Sequence, residues 1–268
     1  MNCKLTILSP TLAEENVIIN HIEWFLSLNR FDMQLIIVDQ SACISSVAKN
    51  YSLLNDNFVY VHSSELGLSK NRNIGLDYVT GDFTVFFDDN SRFFVDIDYL
   101  IGFIDGNPYD AFCGSVVDNF GNIQSYTKLE NPTALDVFNI DKCCNSNSLF
   151  IRSSLLKEFR FDILMGVGAF YGSCEELDLC YRLLNSKYSF FFNPEISVIH
   201  PAPIYSLGKS FSYGKGHGYL TRKLFKTLSI SMVFVASIKF FKCIAKAMFF
   251  LKASNRYWVR GFVVGMFL

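Results

Sequence analysis

The chain has 268 residues, of which 50% are hydrophobic and 28 are Phe, and a net charge of only −1. Its mean hydropathy is +0.24; that length and composition exclude a disordered chain and suit one large folded domain or two closely joined halves. The small net charge hides an asymmetry, because all 25 acids precede Ile196 together with 13 of the 24 Lys and Arg, and 11 cations follow. An acidic body with a basic, apolar tail predicts an anionic partner for the tail. The tail's cations are interleaved with Phe, Ile, Val and Met, so a membrane surface is expected there and nucleic acid is not.

Residues 5–8 (Leu-Thr-Ile-Leu) read as a first strand ending at Ser9-Pro10-Thr11. The chain enters this strand without the basic and long apolar regions of a secretory signal. Its eight Cys show neither C-x-x-C nor zinc-like spacing, so reduced cytosolic thiols are expected. A helix follows, with Val17, Ile18, His21, Ile22, Phe25 and Leu26 at helical spacing; His21 there reads as a core-edge histidine. Residues 35–38 form a second strand with Asp39-Gln40-Ser41 at its carboxyl end, and residues 58–61 a third. The Gly67 to Leu76 segment leads into a helix running to Gly81, and residues 83–87 form a strand that stops at Asp88-Asp89-Asn90. This βαβαβ alternation predicts an α/β fold, a doubly wound and mostly parallel sheet that binds a nucleotide beyond its strand ends. No G-x-G-x-x-G follows the first strand and no G-x-x-x-x-G-K-[ST] occurs, which argues against a dinucleotide dehydrogenase and a P-loop NTPase.

Two adjacent carboxylates at Asp88 and Asp89 repel each other and are costly to desolvate unless a cation holds them. Hard oxygen ligands suit Mg2+ or Mn2+, which keep positions open for substrate phosphates. The same residues are also common where a strand end turns into a loop.

Residues 96–104 are expected to be helical, residues 111–117 and 148–151 to be strands, and residues 119–122 a turn. The Gly-rich stretch 166–172 reads as a flexible loop of the sort that closes over a site. It leads into a helix that opens Ser173-Cys174-Glu175-Glu176-Leu177-Asp178. Ser173 and Glu176 have the spacing of a capping box, and Asp178 and Arg182 that of an i,i+4 pair. A carboxylate at a helix start behind a mobile loop is also well placed to act as a general base. Short strands are expected at 190–192 and 196–200. The second ends in His200, a hydrogen-bonded surface histidine or a metal or phosphate ligand.

From about residue 205, Gly208, Gly214, Gly216 and Gly218 are interspersed with Lys209, Lys215, Arg222 and Lys223. This stretch reads as a loop near an anionic ligand or as a flexible basic linker. Residues 228–238 are too few to span a bilayer. Extended to residue 251, the segment places Lys239, Lys242 and Lys246 on one helical face, with Phe241, Ile244, Ala245, Met248 and Phe249 mostly elsewhere. That is the build of an interfacial helix on anionic lipid, anchored by Arg256, Tyr257, Trp258 and Arg260.

Ser9-Pro10-Thr11, Val38-Asp39-Gln40-Ser41, Gly67 through Gly75, Phe87-Asp88-Asp89-Asn90 and Glu175-Glu176-Leu177-Asp178-Leu179 together resemble the inverting family 2 glycosyltransferases of the GT-A fold. The resemblance covers about residues 4–203. It implies a catalytic domain over 1–203, with a nucleotide-binding half (1–95) and an acceptor-binding half (96–203), followed by a membrane-associating tail over 204–268. By the same resemblance Pro10, Thr11 and Asp39 hold the base of a nucleotide-sugar, usually uridine, and Arg72 contacts base or diphosphate. Asp88 and Asp89 bind the donor, Asp89 and His200 ligate Mn2+ or Mg2+, and Glu176 deprotonates the acceptor hydroxyl. This chain has Asp-Gln-Ser for the usual Asp-Asp-Gly-Ser, Asn90 for a third Asp, and Glu-Glu for Glu-Asp. It lacks Q-x-x-R-W, as do enzymes that add one sugar rather than build a polymer.

The implied activity is transfer of one sugar, from a UDP-sugar by preference, to a lipid-linked saccharide of a bacterial surface polysaccharide. The implied location is the cytoplasmic face of the membrane, as a peripheral protein. A nucleotidyltransferase would need a basic Gly-rich first loop, which residues 9–15 lack. A non-catalytic nucleotide-sugar binder or scaffold would keep Asp39 and Arg72 and be indifferent to Glu176.

Overall fold

The computed structural model describes residues 3–124, 127–201, 206–227, 229–249 and 252–268. The expected boundary at 203/204 and the expected ends of the tail segment at 228 and 251 lie outside the described residues. In the first half β1 (Leu5–Thr11), β2 (Met33–Asp39), β3 (Phe58–His62) and β4 (Phe83–Phe86) are parallel and joined by helices α1 (Glu15–Ser27), α2 (Ser46–Leu54) and α3 (Leu68–Gly75). Every residue of β1, β2 and β4 is buried, as expected of apolar runs covered on both faces. Leu8, Ile36, Val38 and Phe86 enter one core, and Ile7, Leu35, Ile37 and Val85 enter the other on the opposite face.

After β4 come β5 (Arg92–Phe93), α4 (Ile97–Gly106), β6 (Ala111–Val117), β7 (Thr133–Leu135), β8 (Leu149–Arg152), α5 (Glu175–Asn185) and β9 (Phe190–Ile199). One sheet runs through both halves in the order β3-β2-β1-β4-β8-β6-β9-β5, with β7 added beside β9. In this half β8 is antiparallel to β4 and β6, whereas β9 is parallel to β6. The two short strands expected at 190–192 and 196–200 are one strand, β9. Its register against β6 shifts between Cys113 and Ser115. Gly114 permits this, since a Cβ there would lie 2.3 Å from the Ile196 carbonyl oxygen.

The sequence order reverses between β1 and β4, so a crevice opens beyond their carboxyl ends. Pro10 and Thr11 stand on one side and Asp88 and Asp89 on the other. Pairing of Arg92 with Ile199 brings the Asp88 turn to the end of β9, where His200 follows.

Three helices close the chain: α6 (Leu207–Phe225), α7 (Ile230–Phe249) and α8 (Ala253–Phe267). The glycine-rich stretch expected to be a loop or linker lies within α6. Its glycines serve close packing: a Cβ on Gly214 would lie 2.0 Å from the Trp258 carbonyl oxygen, and one on Gly218 2.1 Å from that of Phe262. The contact is reciprocal, with Gly261 meeting the Phe211 carbonyl and Gly265 that of Lys215, each at 2.0 Å. Small residues four apart on both helices bring the backbones together, as in helix pairs of membrane proteins.

Candidate active site

The crevice holds a cleft of about 520 Å3 lined by Pro10, Thr11, Gln40, Gly67, Asp88, Asp89 and His200. It continues past Asp88, Asn90, Val167 and His200 into a chamber of about 640 Å3 that contains Arg72, Asn147, Glu175 and Glu176. The first cavity is built by β-strand ends and the second by the start of α5, so the sheet sets the distance between them.

Thr11 Oγ1 donates to Asp89 Oδ2 at 2.5 Å, which clips the two strand ends across the crevice. Asp88 makes a different contact: its Oδ2 lies 2.9 Å from His200 Nε2. Burial raises the Asp88 pKa, but the His200 bond and charge, the Arg72 charge and a bond from Asn147 outweigh it and hold the carboxyl below its ordinary value. Asn147 also accepts the Asp88 amide at 2.7 Å and the Ser91 hydroxyl at 2.8 Å. It precedes β8 and fixes the acidic turn, yet no motif in the sequence distinguishes it.

Asp39 is fully buried and does not line the cleft. Its two oxygens accept the Ser41 amide at 2.8 Å and the Tyr60 hydroxyl at 2.6 Å. The neighbouring Gln40 does line the cleft and accepts from the Gly67 amide and Asn71 Nδ2 at 2.9 and 3.0 Å. Arg72 is buried beside Phe86 and Phe161, with Nη1 2.9 Å from Glu175 Oε1. His21 is a core histidine, between Ser9 Oγ at 3.1 Å and Arg92 Nη1 at 2.6 Å. Burial first, then the Arg92 charge, lower its pKa to about 3.

Glu176 sits half-buried in the first turn of α5. Burial, then the charges of Glu175 and Cys144, raise its pKa well above the ordinary carboxylate value, while Arg72 opposes them. The expected capping box is absent. Cys174 is the cap, at a left-handed φ of 68° with no side-chain bond, and Ser173 Oγ instead donates to the Tyr213 carbonyl at 3.1 Å. Docking of α6 takes the hydroxyl that would have capped α5. The Asp178–Arg182 pair is present at 2.9 Å. The Gly-rich loop has Gly166 and Gly168 at positive φ and reaches α3, whose Leu68 amide bonds the Val167 carbonyl at 2.9 Å.

No group of three or more His, Cys, Asp or Glu among the described residues could hold a metal unaided. Asp88 and His200, with Asp89 adjoining, do fit a cation shared with a ligand's phosphates, because Mg2+-type sites take only one or two protein carboxylates. The resemblance implies Asp89 and His200 as the metal ligands, whereas the structure sets Asp88 against His200 and Asp89 against Thr11.

The chain shares its fold with solved structures of low sequence identity. S. aureus TarS 1–349 in complex with UDP-GlcNAc matches with a TM-score of 0.67 at 15% identity, covering 96% of this chain and 79% of that one. The mannosyltransferase PcManGT from Pyrobaculum calidifontis, in complex with GDP-Man and Mn2+, matches at 0.64 and 12% identity, covering 100% and 88%. No curated protein matches the chain in sequence. The profile of glycosyl transferase family 2 matches residues 6–171, which takes in β1 through the Gly-rich loop. The chain therefore belongs to glycosyl transferase family 2 and is a glycosyltransferase of the GT-A fold.

Proposed function

We propose that the protein is a metal-dependent, inverting transferase that moves one sugar from a nucleotide-sugar, UDP-linked by preference, to a lipid-linked saccharide in surface-polysaccharide synthesis. The observation that carries this reading is the single continuous cleft with Asp88 and His200 in its middle and the raised-pKa Glu176 beyond them.

The nucleoside fits the cavity between Pro10, Thr11 and Gln40, with Asp39 fixing the turn that carries Gln40. Asp88 and His200, with Asp89 beside them, would hold Mn2+ or Mg2+, which supplies charge neutralisation to a departing diphosphate. Arg72 balances the Glu175 charge at the chamber wall. Glu176 lies on the far side, where its carboxylate takes the proton of the attacking acceptor hydroxyl. A carboxylate with raised pKa is the stronger base, and attack opposite the leaving group inverts the anomeric centre in one step.

The tail supports placement on a membrane surface. Ile230, Phe234, Ile238 and Phe241 form an outward apolar stripe on α7, exposed by 88%, 57%, 37% and 66%. Of the three lysines expected to face lipid, Lys239 instead meets Asp141 at 3.3 Å and Lys246 lies over Trp258 at 4.2 Å. Lys242 remains exposed beside the stripe. No helix among the described residues is long and apolar enough to cross a membrane; our reading lays α7 on anionic lipid at the cytoplasmic face.

The test is nucleoside diphosphate release from a panel of nucleotide-sugars with Mn2+ and a membrane lipid extract as acceptor source. Release that needs the extract and is lost in Glu176→Gln supports transfer. Nucleotide binding with no release from any donor would instead favour a non-catalytic nucleotide-sugar binder or scaffold.

A further inference from the structure

Four thiols meet behind the chamber: Cys113 on β6, Cys143 and Cys144 after β7, and Cys180 on α5. Cys144 Sγ lies 3.6 Å from Cys180 Sγ, and Cys113 and Cys143 are buried in the same cluster. Cys113, Cys143 and Cys180 are fully buried. Cys144 is half-buried and lines both the chamber and an adjoining cavity of about 690 Å3. Cys180 follows Glu176 by one helical turn, so the two share a face of α5. No step of sugar transfer uses these sulfurs.

Hydrogen bonds from Cys113 and then Cys180 lower the Cys144 pKa, against burial and the charges of Glu175 and Asp141. Cys113 and Cys180 are shifted the other way and keep their protons. A reachable thiolate with a second thiol beside it is the arrangement found in redox-active pairs.

We propose that Cys144 and Cys180 are such a pair, and that hydrogen peroxide closes a disulfide between them that ties residues 143–148 to α5 beside Glu176 and lowers transfer. The Cys144 thiolate attacks a peroxide oxygen and the O–O bond breaks, leaving Cys144 as a sulfenic acid; the displaced hydroxide takes a proton and departs as water. The Cys180 sulfur then attacks the sulfenic sulfur. The S–S bond forms, the S–O bond breaks, and hydroxide leaves with the Cys180 proton as a second water. Two electrons pass from the thiols to the peroxide, and the sulfurs close from 3.6 Å to about 2 Å.

The effect on transfer rests on the proposed activity, whereas the cross-link is read by mass alone. Purified full-length protein is treated with hydrogen peroxide, alkylated, digested and mapped. The expected product is a peptide pair joined through Cys144 and Cys180, lost on reduction with dithiothreitol and absent from Cys144→Ser. In untreated wild type, iodoacetamide should label Cys144 about tenfold faster than Cys43, the exposed cysteine of the same chain. No joined pair, a different pair, or labelling no faster than Cys43 would overturn the redox pair. In the cross-linked protein, transfer should fall about tenfold or more and return with dithiothreitol. Unchanged transfer would overturn the gating.

Discussion

Arg72 and Glu175 form an ion pair of 2.9 Å in which the side chains are only 1% and 7% exposed. The pair joins α3 to α5. It sits one residue from Glu176 and holds the start of that helix against the sheet.

A buried pair is far more sensitive to loss of one partner than to loss of both. Glu175→Gln should lower unfolding stability by about 3–5 kcal/mol, as measured by urea titration. The double variant Arg72→Met with Glu175→Leu should cost less than Glu175→Gln alone. A double variant that costs the sum of its singles would show that the pair is not coupled.

The raised pKa of Glu176 carries opposite consequences for activity and for stability. As a base it must be ionised, so transfer should fall as pH drops through its raised pKa. For stability, the folded chain retains a proton that the unfolded chain gives up near pH 4.3, so this group's contribution declines as pH rises from there through the folded pKa. Glu176→Gln should therefore melt higher than wild type at neutral pH while transfer falls by about 10²–10⁴-fold. Calorimetry and a pH–rate profile check the two halves separately.

Asp88 runs the other way, its folded pKa depressed chiefly by His200 against the effect of burial. Its contribution is present above the unfolded carboxylate pKa and is lost as pH falls through the folded value. His200→Gln should shift acid unfolding to higher pH, seen by circular dichroism. It should also weaken Mn2+-dependent nucleotide binding about tenfold or more, seen by titration calorimetry.

The parallel half of the fold was legible because β1, β2 and β4 are apolar on both faces and end in polar residues. Their order was not, because the chain crosses from β3 at the sheet edge past β2 and β1 to pair β4 with β1. The place of Glu176 at a helix start beside a Gly-rich loop was legible, but the Ser173 cap was not, since α6 docks on that hydroxyl from forty residues away in sequence. Asp39 illustrates the same limit: its motif marks the strand end, while Tyr60 on β3 decides that the carboxylate turns inward. The α6 glycines misled because composition alone does not separate a flexible linker from a helix seam. Their four-residue spacing, matched by Gly261 and Gly265, was the available signal.

That seam gives its own test. Gly218→Val or Gly265→Val places a branched side chain where the partner backbone lies about 2 Å from the new Cβ. Stability should fall by about 1–3 kcal/mol, with faster proteolysis of the last helices. Gly208→Ala, where no atom lies within 4 Å of the added Cβ, should have little effect.

The most direct measurement of donor binding is the melting temperature of the full-length protein with a panel of nucleoside diphosphates, each with and without Mn2+. One nucleotide, uridine diphosphate first, should raise the transition by about 5 °C at a hundredfold excess over its Kd. The rise should depend on Mn2+ and be largely lost in Asp88→Ala and Asp89→Ala. No shift from any nucleotide in the presence of metal would contradict a nucleotide-sugar site between Thr11, Gln40 and Asp88.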